Sequence, residues 1–268
     1  MIAAVVQMTS VADVAKNLER AAYWIARAAE SGAEFVALPE NFAFMAESDA
    51  PPSSVAQGLN GAIVGFLQSE AKQHGVWLAG GTFPEGIPDD VRHYNTAVLI
   101  DAHGNLVAHY RKIHLFDVEI PGASLKESRG VAPGQRLVVA ETPAGKVGLS
   151  ICYDVRFPEL YRELSAQGVR ILLVPAAFTV PTGRDHWEVL LRARAIENQA
   201  FVIAAAQYGV HNAKRRSYGR SMIIDPWGVV LATVPDGEGV AVVSLDLAAQ
   251  DRVRRELPVL AHRRLPLP

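Results

Sequence analysis

The same order of apolar elements runs through this chain twice, and that repetition restricts the fold more than any other feature. In the first half, Ile2–Gln7 has the short, unbroken apolar character of a buried strand. Leu18, Ala21, Ala22, Ile25, Ala28 and Ala29 then share one face at three- and four-residue steps, which predicts a helix ended by Gly32. Glu34–Leu38 reads as a strand stopped by Pro39, residues 61–74 as a helix and Val76–Phe83 as a strand. A hairpin follows, with Thr96–Ile100 and Leu106–Tyr110 flanking Asp101-Ala102-His103-Gly104. In the second half, the strands Lys146–Ile151, Arg170–Val174 and Phe201–Ala206 alternate with the helices Pro158–Gln167 and Asp185–Gln199. Its closing hairpin, Ser221–Ile224 and Val229–Thr233 around Asp225-Pro226-Trp227-Gly228, has the same Asp-x-x-Gly turn. Strands apolar throughout must be covered on both faces. An α/β fold of two sheets packed face to face, with helices outside, satisfies that demand. In the helix 185–199, Asp185 and Glu188 form a capping pair. Its stripe of Trp187, Leu190, Leu191 and Ala195 reads as core, with a subunit contact as the lesser alternative.

Composition narrows the class. The chain has 268 residues, 50% of them hydrophobic, enough for one large α/β core. No linker, low-complexity stretch or charge run divides it, so residues 1–268 are expected to form one domain. The Pro51-Pro52 and Leu265–Pro268 stretches read as a loop and a tail. Twenty-six basic against 28 acidic residues give a net charge of -2, with no long-range pull on nucleic acid or anionic lipid. The Lys214-Arg215-Arg216 run reads as a solvated loop. No apolar run reaches the roughly 18 residues of a membrane helix. The first residues lack the basic region of a signal peptide, so no membrane association is expected.

Cys152 is the sole cysteine, which excludes an internal disulfide and a thiolate zinc cage and favours a reducing cytoplasm. It ends the apolar stretch Gly148–Ile151 and is followed at once by polar turn residues, with Pro158 suited to the first turn of a helix. A lone cysteine is most often a small buried hydrophobe. Placed at a strand-to-helix turn, it instead faces a pocket mouth. Glu40 stands at the end of another buried strand, where α/β sheets collect working residues. Lys112 ends the strand Leu106–Lys112, where an ammonium can meet a developing oxyanion. Glu127 lies on a loop beyond. His114 and His186 invite a Cys–His pairing, but neither sits in a papain-like motif, and both read as structural histidines. No metal, nucleotide or serine-hydrolase signature occurs, so neither metal nor organic cofactor is expected.

Taken together, Leu38-Pro39-Glu40-Asn41, Tyr110-Arg111-Lys112-Ile113-His114-Leu115 and Ile151-Cys152-Tyr153-Asp154-Val155-Arg156-Phe157-Pro158-Glu159 resemble the nitrilase superfamily of carbon–nitrogen hydrolases. The resemblance runs from the first strand to Leu257-Pro258-Val259. It implies a four-layer αββα sandwich that dimerises to αββααββα through the helices after Pro158 and Asp185. It also implies an amidase with Cys152 as nucleophile, Glu40 as general base, Lys112 and the Tyr153 backbone N–H as oxyanion donors, and Glu127 as a second glutamate beside Lys112. Within the superfamily, the segments 116–122, 186–197 and 217–228 are most similar to the deaminated glutathione amidases. The segment 123–126, read as a loop bordering the site, fits neither these nor the related ω-amidases closely. The resemblance implies a substrate whose acyl part carries a carboxylate. Arg156 is expected to clamp that carboxylate, with an ion pair to Glu159 as its plainer role, and Phe178 and Thr182 to line the pocket. The competing readings are an ω-amidase that releases ammonia from α-ketoglutaramate, a noncatalytic binding protein on the same fold, and a thiol redox sensor.

Overall fold

The computed structural model describes residues 1–47, 55–120 and 123–265. Pro51, Pro52 and Pro266–Pro268 lie outside them. Element order in the first half is β1 (Ile2–Gln7), α1 (Val14–Glu30), β2 (Phe35–Ala37), α2 (Ala62–His74), β3 (Trp77–Gly86), β4 (His93–Ile100) and β5 (Leu106–Arg111). A small hairpin follows, β6 (Asp117–Ile120) with β7 (Ala123–Lys126). The second half runs β8 (Val139–Thr142), β9 (Gly145–Leu149), α3 (Pro158–Ala166), β10 (Ile171–Leu173), α4 (Val180–Asn198) and β11 (Phe201–Ala204). The chain closes with β12 (Tyr208–Val210), β13 (Arg216–Tyr218), β14 (Met222–Ile224), β15 (Val230–Thr233), β16 (Gly239–Ser244) and α5 (Leu247–Glu256).

The twofold order read from the sequence is built into the strand pairing. One sheet runs β16-β1-β2-β3-β4-β5 and the other β8-β9-β10-β11-β14-β15. In each, three parallel strands (β1, β2, β3 or β9, β10, β11) carry an antiparallel strand on one edge and an antiparallel hairpin on the other.

The period of two along each strand separates the layers. Ala3, Val5, Phe35 and Ala37 join Leu149, Ile171 and Leu173 in the core that contains the space between the sheets. Their neighbours Ala4, Val6, Val36 and Leu38 face the opposite way, against Ala21 and Ile25 of α1 and Ile63 and Leu67 of α2. Helices α3 and α4 cover the second sheet through Leu160, Leu164, Trp187 and Leu191. Each such side chain, fully buried, contributes roughly 1.5–3 kcal/mol. The resulting order is helix, sheet, sheet, helix, the four-layer αββα sandwich expected.

Two local readings need correction, and one element went unread. Helix α4 begins at Val180, not Asp185: Pro181 fits its first turn and Thr179 is the N-cap. Asp185 and Glu188 therefore lie within the helix, exposed, and cap nothing. The segment 123–126 is a strand of the small hairpin rather than a loop. Helix α5 was not legible because its apolar spacing is weak. It docks by polar contacts instead: Gln250 is fully buried, donating to the carbonyls of Arg170 and Gln199, and Arg254 donates to those of Gln199 and Val169.

The first turn of α4 packs tightly on β13. A Cβ at Gly183 would stand 2.3 Å from the Tyr218 Cβ and 2.4 Å from its Cγ. Alanine is intrinsically the better helix former by about 1 kcal/mol. Gly183→Ala is nevertheless expected to destabilise by about 1–3 kcal/mol through overpacking. Thermal denaturation should show a melting temperature lowered by about 3–10 °C.

Candidate active site

Glu40 leaves the end of β2 through Leu38-Pro39, into a turn that a bulge in β3 makes room for. Gly81 has φ of +59°, and a Cβ there would stand 2.2 Å from the Pro39 carbonyl oxygen. The adjacent Thr82 hydroxyl accepts from the Asn41 N–H at 2.7 Å. From the second sheet's side, buried Gln207 donates to the Glu40 carbonyl at 3.0 Å. The turn is thus fixed from both sheets before the Glu40 side chain meets any partner.

That side chain is 3% exposed and fully engaged. Its Oε1 accepts from Lys112 Nζ at 2.9 Å and from Asn95 Nδ2 at 2.9 Å, and its Oε2 accepts from the Ala177 N–H at 2.8 Å. Lys112 follows β5 and is 2% exposed. Its Nζ also donates to Glu127 Oε1 at 3.0 Å and Oε2 at 2.9 Å. Glu127 opens a short 3-10 turn and accepts from the Phe116 N–H at 2.7 Å. Burial by itself would depress the Lys112 ammonium. The carboxylates of Glu127 and Glu40 outweigh it and hold the group well above the ordinary lysine range.

Cys152 sits where β9 gives way, after Ser150 and Ile151, to the 3-10 turn Cys152–Arg156. Its φ of +48° lies in the left-handed region, which costs a β-carbon residue about 1–2 kcal/mol. Buried polar contacts hold it there. The Cys152 N–H donates to the Pro175 carbonyl at 2.9 Å. Asp154, fully buried, accepts from the Ile151 N–H at 2.9 Å, the Tyr110 hydroxyl at 2.7 Å and the His114 N–H at 3.0 Å. Ser150 donates to the Leu173 carbonyl at 2.7 Å. His114 Nδ1 lies 2.7 Å from Asp154, and its ring stacks on Phe157 with centroids 3.6 Å apart, a structural role as expected. The Cys152 N–H is thus spent, whereas the Tyr153 N–H has no acceptor among the described residues.

Burial pushes the Cys152 thiol well up, and the Glu40 carboxylate pushes it further; Lys112 and the Ala177 N–H oppose both without prevailing. The resting group is therefore the thiol, with a carboxylate beside it to receive its proton.

A cavity of about 530 Å³ opens onto Cys152, Glu40, Lys112 and Glu127, so the four predicted groups from distant parts of the chain converge on one space. Arg156, Phe178 and Thr182 do not line it. Arg156 reaches His186 Nδ1 at 3.2 Å and lies over the Tyr153 and Phe178 rings, without an ion pair to Glu159 among the described residues. Phe178 packs on Trp187, and Thr182 bonds Thr179. The cavity wall takes Thr179, Val180 and Pro181 from the start of α4, and the Lys214–Arg216 segment read as a solvated loop. No cluster of three or more His, Cys, Asp or Glu side chains among the described residues is arranged to hold a metal.

Two cavity residues went unread in the sequence. Asn95 and His93 alternate along β4 and so face the same side. Asn95 Nδ2 bridges Glu40 and Glu127, the latter at 3.4 Å, and its buried Oδ1 has no partner among the described residues. The available signal was a polar pair at period two entering an apolar strand. His93 Nδ1 is also buried without a partner among the described residues, and burial lowers the imidazole from 6.5 to about 4. The unfolded chain takes up this proton near pH 6.5, while the folded chain resists it to about pH 4. The stability that neutral His93 allows is therefore complete above pH 6.5 and falls as pH drops through that window. Urea unfolding between pH 7 and 4 should show this decline, and His93→Gln should make it shallower.

Comparisons with known proteins agree with this geometry. Residues 2–255 match the carbon–nitrogen hydrolase family model. The deaminated glutathione amidase of Mus musculus is 46% identical over 268 residues, covering 98% of this chain and 83% of that one. The protein of the same name from Synechocystis sp. is 46% identical over 266 residues, covering 98% and 97%. The crystal structure of the C. elegans NitFhit protein superposes with a TM-score of 0.91 at 43% identity, covering 98% of this chain and 65% of that longer one. With the family model spanning nearly the whole length and relatives this similar end to end, the chain belongs to the carbon–nitrogen hydrolase family and is an amidase of the nitrilase superfamily.

Proposed function

We propose that the protein hydrolyses deaminated glutathione to α-ketoglutarate and Cys-Gly through a thioester on Cys152. The observation that carries the reaction type is the buried contact of Lys112 with both Glu40 and Glu127 beside the sole thiol. The substrate assignment rests on the two full-length relatives of that name at 46% identity.

An amide is a weak electrophile with a poor leaving group, so the work divides into two displacements. Glu40 takes the thiol proton as sulfur attacks the amide carbon. The oxyanion forms between Lys112 Nζ and the Tyr153 N–H, donors of a kind worth roughly 3–4 kcal/mol each. Glu40 then gives its proton to the departing amine, the C–N bond breaks and the thioester remains. In the second half, Glu40 takes a proton from water, hydroxide adds to the thioester carbon, and the acid leaves as sulfur recovers the proton. Lys112 remains an ammonium throughout, because Glu127 keeps its charge balanced when Glu40 is protonated.

The thiol needs to remain reduced for this chemistry, which supports a cytoplasmic setting. Residues 1–268 act as one domain. Dimerisation to an αββααββα stack is supported by exposed apolar residues of α4 and the β14–β15 turn. Val189 and Ile196 of α4 adjoin Trp227 and Val229 of the β14–β15 turn, and Arg192 binds that turn at the Gly228 carbonyl.

Cys-Gly release from deaminated glutathione, measured beside ammonia release from α-ketoglutaramate, tests the substrate; equal kcat/KM on both would overturn the preference. Intact mass after rapid quenching should show the acyl adduct on wild type and none on Cys152→Ala, a folded protein without turnover. Glu40→Gln should lower turnover by about 10²–10⁴-fold. Because it also removes the carboxylate that holds the thiol up, it should react faster than wild type with iodoacetamide at neutral pH. Slower alkylation would contradict the electrostatic account.

A further inference from the structure

We propose that Lys214, on the connection between β12 and β13, and Arg216, the first residue of β13, form a subsite for a substrate carboxylate remote from the scissile amide. This rests on the amidase reading and adds to it where substrate charge is recognised.

The first observation is the polarity of the cavity. Its floor formally carries two carboxylates, Glu40 and Glu127, against the single ammonium of Lys112. Elsewhere on the wall, Lys126, Lys214 and Arg216 face one carboxylate among the described residues, that of Glu47. This happens in a chain whose net charge is -2. An amide bearing a carboxylate is thereby turned with its neutral amide to the floor and its anionic end to the basic wall. A volume of about 530 Å³ gives room for both ends at once.

The second observation is that these side chains spring from a fixed base. Asn212 Oδ1 accepts from the N–H groups of Lys214 at 2.9 Å and Arg215 at 3.0 Å, and Asn212 Nδ2 donates to the Ala46 carbonyl at 3.3 Å. The neighbouring His211 is buried between the Ser10 carbonyl, 2.8 Å from Nδ1, and the Ser217 hydroxyl, 2.9 Å from Nε2. Burial lowers its imidazole, so it is neutral. The Ser10 carbonyl only accepts, which puts the proton on Nδ1 and leaves Nε2 to accept from Ser217. His211 is therefore an anchor and not a charge. Ser217 also bridges to Thr179 at the start of α4, tying the segment to another part of the wall.

The third observation is that Lys214 and Arg216 meet no carboxylate at ion-pair distance among the described residues, although both border a cavity lined by three, Glu40, Glu47 and Glu127. Charge-assisted hydrogen bonds from such groups can favour a carboxylate over its uncharged isostere by about 10–100-fold in affinity.

The carboxylate has two sources, the α-keto acid of the acyl part and the glycine of the leaving part. Three amides separate them: deaminated glutathione, its glycine carboxamide, and an analogue lacking the keto acid's carboxylate. Steady-state kinetics on wild type should show a preference of about 10–100-fold in kcat/KM for the full dianion over at least one analogue. The double variant K214Q/R216Q should lose that preference through KM, with kcat held within about threefold, and K214E/R216E should invert it. Loss confined to the glycine pair assigns the subsite to the leaving part; loss confined to the other pair assigns it to the acyl part. An unchanged preference in both variants, or a fall in kcat on all three amides alike, overturns the subsite. If wild type cleaves only α-ketoglutaramate, the substrate assignment fails on its own. The subsite is then read on α-ketoglutaramate against pentanamide, where an equal response of wild type and K214Q/R216Q overturns it.

Discussion

Everything at this site depends on keeping one ammonium out of water. An unpaired buried charge costs several kcal/mol, and removing one partner from a buried pair commonly costs about 3–5 kcal/mol. Lys112, 2% exposed, is tolerable only because Glu40 and Glu127 both reach it. Two carboxylates around one ammonium leave an excess negative charge, and that excess is spread over neutral donors. Asn95 serves both carboxylates, the Ala177 N–H serves Glu40, and the Phe116 N–H serves Glu127. Each donor comes from a different element, so the charge cluster fixes β2, β4, β5 and the turn after β10 relative to one another.

The same excess decides the state of the nucleophile. Lys112 by itself pulls Cys152 towards the thiolate. With Glu40 beside it and burial acting in the same direction, the proton stays on sulfur. A thiol held with its base already in place is deprotonated at the moment of attack, and the same proton is then at hand for the leaving amine. Amides require that second transfer more than activated esters do, because an amine anion is not expelled. The left-handed backbone at Cys152 belongs to the same arrangement. It lifts the side chain out of the β9 pleat and towards the cavity, and Asp154 offsets its cost by gathering donors from Ile151, Tyr110 and His114.

Those features whose physics is local could be read directly from the sequence. Apolar strands, the two Asp-x-x-Gly turns and the ends of β2, β5 and β9 follow from patterns within a few residues, and so Glu40, Lys112 and Cys152 were found where the structure has them. Glu127 and the assignment of roles came from resemblance to a family, since a glutamate after a hairpin carries no local signal of its partner. What went unread depends on contacts across the fold. Asn95 matters because β4 lies between two carboxylates that come from elsewhere. Lys214 and Arg216 are exposed, as their solvated reading requires, but that the segment also borders the cavity depends on the pairing of β12 with β13. Arg156 was expected to clamp a substrate carboxylate, yet the 3-10 turn aims it at His186 and the Phe178 ring.

The two halves of the fold also divide the chemistry. The sheet containing β2 and β5 leads into Glu40 and Lys112, while the sheet containing β9 and β10 leads into Cys152 and the Ala177 N–H. Neither half holds a working site. The nucleophile lacks its base without the first sheet, and Glu40 Oε2 lacks its donor, the Ala177 N–H, without the second. Sheet packing is driven by apolar area and is indifferent to small shifts of register, whereas hydrogen bonds of 2.8–2.9 Å are not. The polar cluster at the seam therefore selects one alignment among the many that the hydrophobic core would accept, and catalytic geometry and a unique fold rest on the same few contacts.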